Sequence, residues 1–418
     1  MSSVSRDNTE SVRQQPTNGT GSPQWGFIAM LVAVAATSPL GINIYLPSMP
    51  GMAMDFGVDF GTIQLTLSLY LAAVAVGQLI VGPLSDRFGR RPILLGGLSS
   101  FVVGTVICLL APSIGVLLAG RVLQALGGCA GIALSRAVVS DLYGRDQAAS
   151  MIGYVTMGMA VAPMAAPTIG GALEAFYGWR ASFIFLLVFG SLTLTAAARR
   201  LYETNHRRGA SGAAGQLLRG YSKLIGSRPF WGYTLTTAFS TAVFFTFVAG
   251  ASYVVITLMQ RSPLEYGAYF AFVPGGYMLG NFLSGRYARR FGANRMIITG
   301  CILIIFGVAS ISAAFALGNM HPAGLFLPMF LVGVGNGLVI PSGVAGAVSV
   351  NPNVAGAAAG LSGSFQMGFG AVVAPVVGAL LKTTVWPMLA IMAACAVLAL
   401  ASFALTRGSA SGRNTHSA

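Results

Sequence analysis

Apolar residues run almost unbroken through twelve stretches of the chain, at 26–47, 61–82, 92–112, 114–136, 148–174, 180–199, 231–258, 265–285, 295–316, 323–345, 353–381 and 385–406. A hydrocarbon core about 30 Å thick is crossed by roughly 20 apolar residues in a helix, so each stretch predicts one transmembrane helix. Polar residues gather between the stretches and at both ends. The pattern predicts an all-α membrane protein with a disordered cytoplasmic tail over 1–24, a six-helix bundle over 25–198, a basic cytoplasmic linker over 199–230, a second six-helix bundle over 231–406 and a cytoplasmic tail over 407–418.

Composition agrees with a bilayer environment. Hydrophobic residues make up 55% of the 418 and charged residues 8%, with a mean hydropathy of +0.75, against roughly 25% charged in soluble domains. The polar opening, MSSVSRDNTESVRQQPTNGTGSPQW, has its regions in the wrong order for a cleaved signal peptide. Its Asn18-Gly19-Thr20 fits the glycosylation pattern, which a tail on the inner side does not meet.

Lys and Arg collect in cytoplasmic loops. With the N-terminus inside, the inner segments hold 2 in the first tail, 3 between the second and third spans, 2 around the loop after the fourth, 7 in the central linker, 4 after the eighth and 2 after the twelfth. The outer loops hold only Arg180, Arg261 and Lys382, and Arg121 lies inside the fourth span. Both termini are therefore expected in the cytoplasm. The net charge of +14 follows from this topology and from anionic lipid headgroups, and it does not call for nucleic acid.

Cys108, Cys129, Cys301 and Cys395 all fall within spans and form no CxxC pair, so they read as small apolar packers. His206, His321 and His416 lie in loops or the tail. No metal site, cofactor site or buried imidazole relay is indicated. A membrane-embedded enzyme would need a nucleophile, a base or a metal cluster, and no Ser-His or HExxH arrangement is present.

The chain repeats itself. GQLIVGPLSDRFGRRPILLGG at 77–97 aligns without a gap on GNFLSGRYARRFGANRMIITG at 280–300, an offset of 203. Gly77 meets Gly280, Gly82 meets Gly285, Phe88 meets Phe291, Gly89 meets Gly292, and Asp86 meets Arg289. APTIGGAL at 166–173 echoes APVVGALL at 374–381. Because six spans is an even number, the two halves keep one orientation, related by a pseudo-twofold along the membrane normal.

These segments also carry a family resemblance. GQLIVGPLSDRFGRRP resembles the signature between the second and third helices of the major facilitator superfamily. RVLQALGGCAG (121–131) resembles the fourth-helix motif of its drug exporters, and GMAVAPMAAPTIGGAL (158–173) the fifth-helix motif of its antiporters. With YLPSMP (45–50) added, residues 25 to 406 look like the Bcr/CflA group of bacterial twelve-helix exporters of bicyclomycin- and chloramphenicol-type antibiotics. The resemblance implies a bacterial inner-membrane drug:proton antiporter, monomeric, with a small-molecule substrate, protons and membrane lipids as its partners.

It also implies roles for residues. Gly77, Gly82, Pro83, Asp86, Arg87, Gly89, Arg90 and Arg91 would form a cytoplasmic gate in which the acid and the arginines latch the two halves. As positive-inside anchors alone, the arginines would already be accounted for; Asp86 would not. In the fifth span Gly158, Pro163, Pro167, Gly170 and Gly171 would kink the helix against the eighth, as packing and hinge elements.

An ionisable group inside a span is costly and usually functional. Arg121 is the one charge well inside, roughly 10 Å from the outer start of its helix, with no buried acid to pair with. It either snorkels outward or faces a cavity, and the cavity is the expectation. Asn43 lies at a comparable depth, where the resembled family typically has a titrating Asp. An amide cannot titrate. Protons then load elsewhere, at Asp86 or Asp141, or coupling runs through charge at Arg121, or export is uncoupled. By analogy, Tyr45, Gln124, Tyr233, Phe244, Phe247, Tyr253 and Asn336 complete the candidate cavity, with packing an equal explanation for any single aromatic residue. An arginine and no acid would favour neutral or anionic compounds over lipophilic cations.

Overall fold

In the computed structural model, which describes residues 25–143, 145–205, 221–351 and 354–406, every regular element among the described residues is helical. The first span is α1 (Trp25–Asn43), followed by a 3-10 turn (Leu46–Ser48) and a short α2 (Met49–Phe56). The prolines of YLPSMP remove the amides a continuous helix would need there. Then come α3 (Phe60–Phe88), α4 (Arg90–Leu109), α5 (Ile114–Leu142), α6 (Arg145–Tyr177) and α7 (Arg180–Arg200). The second set is α8 (Arg228–Ser252), which passes into a π-helical turn (Tyr253–Leu258), α9 (Pro263–Phe270), α10 (Phe272–Phe291), α11 (Ala293–Ala316), α12 (Pro322–Ser349), α13 (Ala355–Leu380) and α14 (Trp386–Phe403).

Ten helical segments are long and apolar enough to cross a membrane. The other two of the twelve predicted spans correspond to α6, a single helix of 33 residues, and to α9 with α10, which are broken at Ala271. Pro274 accounts for the break, because it lacks the amide that would bond the Phe270 carbonyl. The tails at 1–24 and 407–418 and the linker residues 206–220 lie outside the described residues.

The two sets pack by the same scheme. In the first, α5 lies against α1, α3 and α4, α6 against α1, and α7 against α4; in the second, α12 lies against α8, α10 and α11, α13 against α8, and α14 against α11. Local geometry repeats as well. Gly89 and Gly292 join successive helices with φ of +104° and +84°, a region in which a Cβ is strained. Arg87 sits over the Phe88 ring at 5.2 Å, and Arg290 over Phe291 at 5.5 Å. Large apolar side chains left outside the packing, such as Val103, Leu192, Ile302 and Phe306, make the surface that lipid covers.

The sets meet along two seams. One runs down α3 and α13, where Gly61 lies against Ala379 and Ser364 Oγ donates to the Ala75 carbonyl at 2.6 Å. The other joins α6 to α9 and α10. At the end that carries Pro47, the 3-10 turn also touches α8 and α9, and α2 touches the π turn. That end is sealed. At the end carrying the basic loops, Gly82 and Gly285 look onto open space, and Arg136 of α5 is exposed.

Candidate functional site

α5 carries Arg121 into the middle of the first bundle, where it is fully buried. Its Nη1 donates to the Gly41 carbonyl of α1 at 2.9 Å and to Oε1 of Gln124, one turn along α5, at 2.5 Å. The guanidinium carbon lies 4.2 Å from the centre of the Tyr45 ring and 4.3 Å from that of Tyr70. These two faces offer the electrostatic attraction that a carboxylate would otherwise supply. Gln124 passes the network on, donating from Nε2 to Thr105 Oγ1 of α4 at 2.7 Å.

Nε and Nη2 of Arg121 have no hydrogen-bond partner. Unpaired buried charge is expensive, so an anion or a polar ligand reaching these nitrogens would gain strongly from them. Arg121 does not snorkel to the surface. Nor does it open onto a cavity, as expected above, because the two tyrosine rings close over it in this conformation. Asn43, 3% exposed, donates from Nδ2 to the Pro39 carbonyl at 2.8 Å, and its Oδ1 is enclosed without a partner. Tyr45 shares a hydrogen bond of 3.2 Å with Thr66 Oγ1.

Asn43, Tyr45, Arg121 and Gln124 thus come together in one bundle, and the remaining cavity candidates do not join them. Asn336 is buried in the second bundle and accepts from Ser240 Oγ. Phe247 is fully buried against Phe326, ring centres 5.5 Å apart. Phe244 is half-buried beside Phe245. Tyr233 and Tyr253 lie at opposite ends of α8, bonding Asn294 Oδ1 at 3.1 Å and the Lys382 carbonyl at 2.9 Å. Twenty residues of helix separate them by about 30 Å, so no one ligand meets both.

At the basic face, Asp86 accepts from Arg90 Nη1 at 2.5 Å, and Arg90 Nε reaches Asp141 Oδ2 at 3.0 Å. Both ion pairs stay within the first bundle. The structure adds a strap that the sequence did not suggest. Beyond α7 the chain returns over this loop, and Glu203 accepts from the backbone amides of Arg90 at 2.8 Å and Arg91 at 3.3 Å, the exposed N-terminus of α4. Thr204 donates to Asp141 at 3.1 Å, and Asn205 to the Asp86 carbonyl at 3.0 Å. Arg91 Nε binds the Leu201 carbonyl at 2.8 Å. The acid that accepts amides at this helix start is Glu203, and Asp86 pairs instead with Arg90. The side chain of Arg289, the residue matched to Asp86 in the repeat, lies outside the described residues, as do the surroundings of Gly158.

The glycines of α6 allow a very close crossing. A Cβ on Gly170 would overlap the Ile44 carbonyl, and one on Gly171 the Pro263 carbonyl across the seam. Thr168 Oγ1 also donates to the Gly267 carbonyl of α9 at 2.7 Å. Pro163 and Pro167 lie inside a continuous helix. Gly77 packs on Cys129, whereas Pro83 lies inside the last turns of α3.

Comparison with known proteins adds independent findings. A family profile described as Major Facilitator Superfamily matches residues 31–375. The chain is 33% identical over 383 residues to the chloramphenicol resistance protein of Pseudomonas aeruginosa, covering 88% of each. It is 32% identical over 396 residues to an uncharacterised MFS-type transporter of Bacillus subtilis, covering 93% of this chain and 98% of the relative. Multidrug resistance protein D of Escherichia coli is 31% identical over 340 residues, 81% of this chain and 85% of that one. Among solved structures, the human organic anion transporter MFSD10 superposes with a TM-score of 0.68 at 19% identity, over 93% of this chain and all of that one. A bacterial homologue of the lysosomal transporter Spinster, inward-facing and occupied, gives 0.65 at 16% identity, over 92% and 97%. These last two show likeness of fold.

Proposed function

The chain belongs to the major facilitator superfamily, and from that premise we propose that it exports small neutral or anionic antibiotics, of chloramphenicol or bicyclomycin type, by alternating access. It is a multi-pass membrane protein that transports small molecules. Relatives bearing the names chloramphenicol resistance protein, multidrug resistance protein D and bicyclomycin resistance protein homolog support the substrate class. The observation that carries the charge preference is Arg121, a buried cation with two unpaired nitrogens and no acid. A cationic drug brought to it would meet repulsion at low dielectric.

The basic loops face the cytoplasm of a bacterial cell, and both termini lie there, with bundles over 25–198 and 231–406 joined by the 199–230 linker. The sealed end at Pro47 is then the outer end, and this is the inward-facing state. Asp86, paired here with Arg90 of its own bundle, latches the halves when the inner end closes. The protein works as a monomer in lipid and catalyses no reaction. Export is coupled to protons taken up somewhere other than position 43. A second reading, uncoupled or charge-driven export, is favoured by one observation: Asn43, two residues along α1 from the Gly41 carbonyl that Arg121 binds, is a buried amide and cannot titrate.

The test is growth of a drug-hypersensitive bacterial strain. Cells making the protein should tolerate more chloramphenicol than cells making Arg121→Ala, and neither should gain tolerance to ethidium. Equal ethidium tolerance would overturn the charge preference, and no chloramphenicol tolerance would overturn the substrate class.

A further inference from the structure

Among the described residues, ten side-chain atoms are enclosed without a hydrogen-bond partner. Nine of them lie toward the sealed end: Asn43 Oδ1, Ser48 Oγ, Gln64 Oε1, Arg121 Nε and Nη2, Glu174 Oε2, Ser182 Oγ, Ser252 Oγ and Tyr266 OH. Buried polar atoms are normally paired. Their concentration at one end marks a region that takes up water when the seam parts. Only one of these groups is an acid.

Glu174 sits near the end of α6, one turn beyond the Gly170 and Gly171 crossing. Its Oε1 packs where a Cβ on Gly51 of α2 would stand, 2.8 Å from that position, and the other oxygen is fully enclosed. The Ser48 hydroxyl faces the carboxyl group within hydrogen-bonding reach. From α2, the like-charged Asp55 faces the same space, its Oδ2 held by Trp179 Nε1 at 2.8 Å. Arg180 at the start of α7 stacks on that Trp179 ring at 4.2 Å, and α9 brings Glu265 in its first turn. Neither forms an ion pair with Glu174, since both ion pairs among the described residues belong to Arg90. A carboxyl group with one oxygen enclosed, a second acid facing it, no cation beside it and a single hydroxyl within reach is held more cheaply as the neutral acid.

We propose that Glu174 is a proton-binding site that locks the seal at this end of the protein. The halves close over the neutral carboxylic acid; when they part, entering water solvates the carboxylate and accepts its proton. This rests on the alternating-access reading above. A rise in outer pH therefore favours opening, and acid favours the sealed state.

The test needs no transport substrate. A cysteine replaces Ser252, buried in the last turn of α8 and one turn beyond Ala249, whose carbonyl accepts from Gln64 of the other bundle. Its labelling by a membrane-impermeant maleimide is timed in intact cells stripped of their outer layer, with the protein lacking this cysteine as the blank. The rate, divided at each pH by that of a cysteine placed at exposed Leu317 in the same outer face, which carries the thiolate's own pH dependence, should rise with pH, by about tenfold per pH unit at most for a single proton. Glu174→Gln should abolish the dependence, Glu174→Asp should retain one, and Asp55→Asn should leave it in place. A dependence that survives Glu174→Gln, or that disappears in Asp55→Asn alone, would overturn the assignment. Absence of chloramphenicol tolerance in wild-type cells would count against the substrate class and leave this readout intact.

Discussion

At position 43 an amide stands two residues before YLP, and its hydrogen bond is to its own helix, at Pro39. Arg121, which bonds Gly41 nearby, thus has no acid to answer. Asn43→Asp would supply a titrating group, enclosed from water as Asn43 is, where loss of solvent favours the protonated acid that a bound drug can discharge. In weakly buffered detergent, chloramphenicol added to purified Asn43→Asp should release more protons than when added to wild type. Equal release from both would remove position 43 from coupling. Arg121 was legible in the sequence as a lone charge in an apolar helix. Its enclosure was not, because the Tyr70 ring reaches it only through the register of α3 against α1 and α5. Glu174 was countable as an acid, but its isolation depends on the 3-10 turn packing against α6 and on Gly51 of α2 reaching its carboxyl group.

At the scale of elements, the apolar pattern placed all twelve spans, and the observed ends differ for local reasons. α3, α5 and α12 run several residues past the predicted ends, to Phe88, Leu142 and Ser349, because a helix continues into the headgroup region after its apolar run stops. The break at Ala271 was written in Pro274, though its position was not anticipated. The strap after α7 left no periodic signal. It joins residues 113 apart through Glu203 and the Arg90 amide, a contact that only the return of the sixth span creates. Unpaired amides at a helix start are worth about 0.5–2 kcal/mol when a side chain satisfies them. Glu203→Ala should therefore lower the thermal unfolding midpoint of the detergent-solubilised protein by a few degrees, and Glu203→Gln should lower it less. An unchanged midpoint in Glu203→Ala would show that the strap does not stabilise the loop.

Over the whole molecule, the 203-residue repeat was readable from glycines and phenylalanines alone, and it reappears as paired turns at Gly89 and Gly292 and as the same helix-packing scheme in both halves. What the repeat did not reveal is how unlike the halves are inside. The first encloses a cation between aromatic rings; the corresponding region of the second is filled by Phe247, Phe270 and Phe326. Seam contacts concentrate at one end, since the close α6 crossing requires Gly170 and Gly171 to lie beside Ile44 and Pro263, a partnership across bundles that spacing along one chain cannot specify. Conformation is a property of both halves together.

The measurement that bears most directly on export of small antibiotics is uptake of labelled chloramphenicol into energised inside-out membrane vesicles, in which export becomes accumulation. Vesicles containing the protein should accumulate the drug above vesicles without it, and Arg121→Ala should return them to that baseline. Accumulation no greater than in vesicles lacking the protein, with the protein present and folded, would contradict the account.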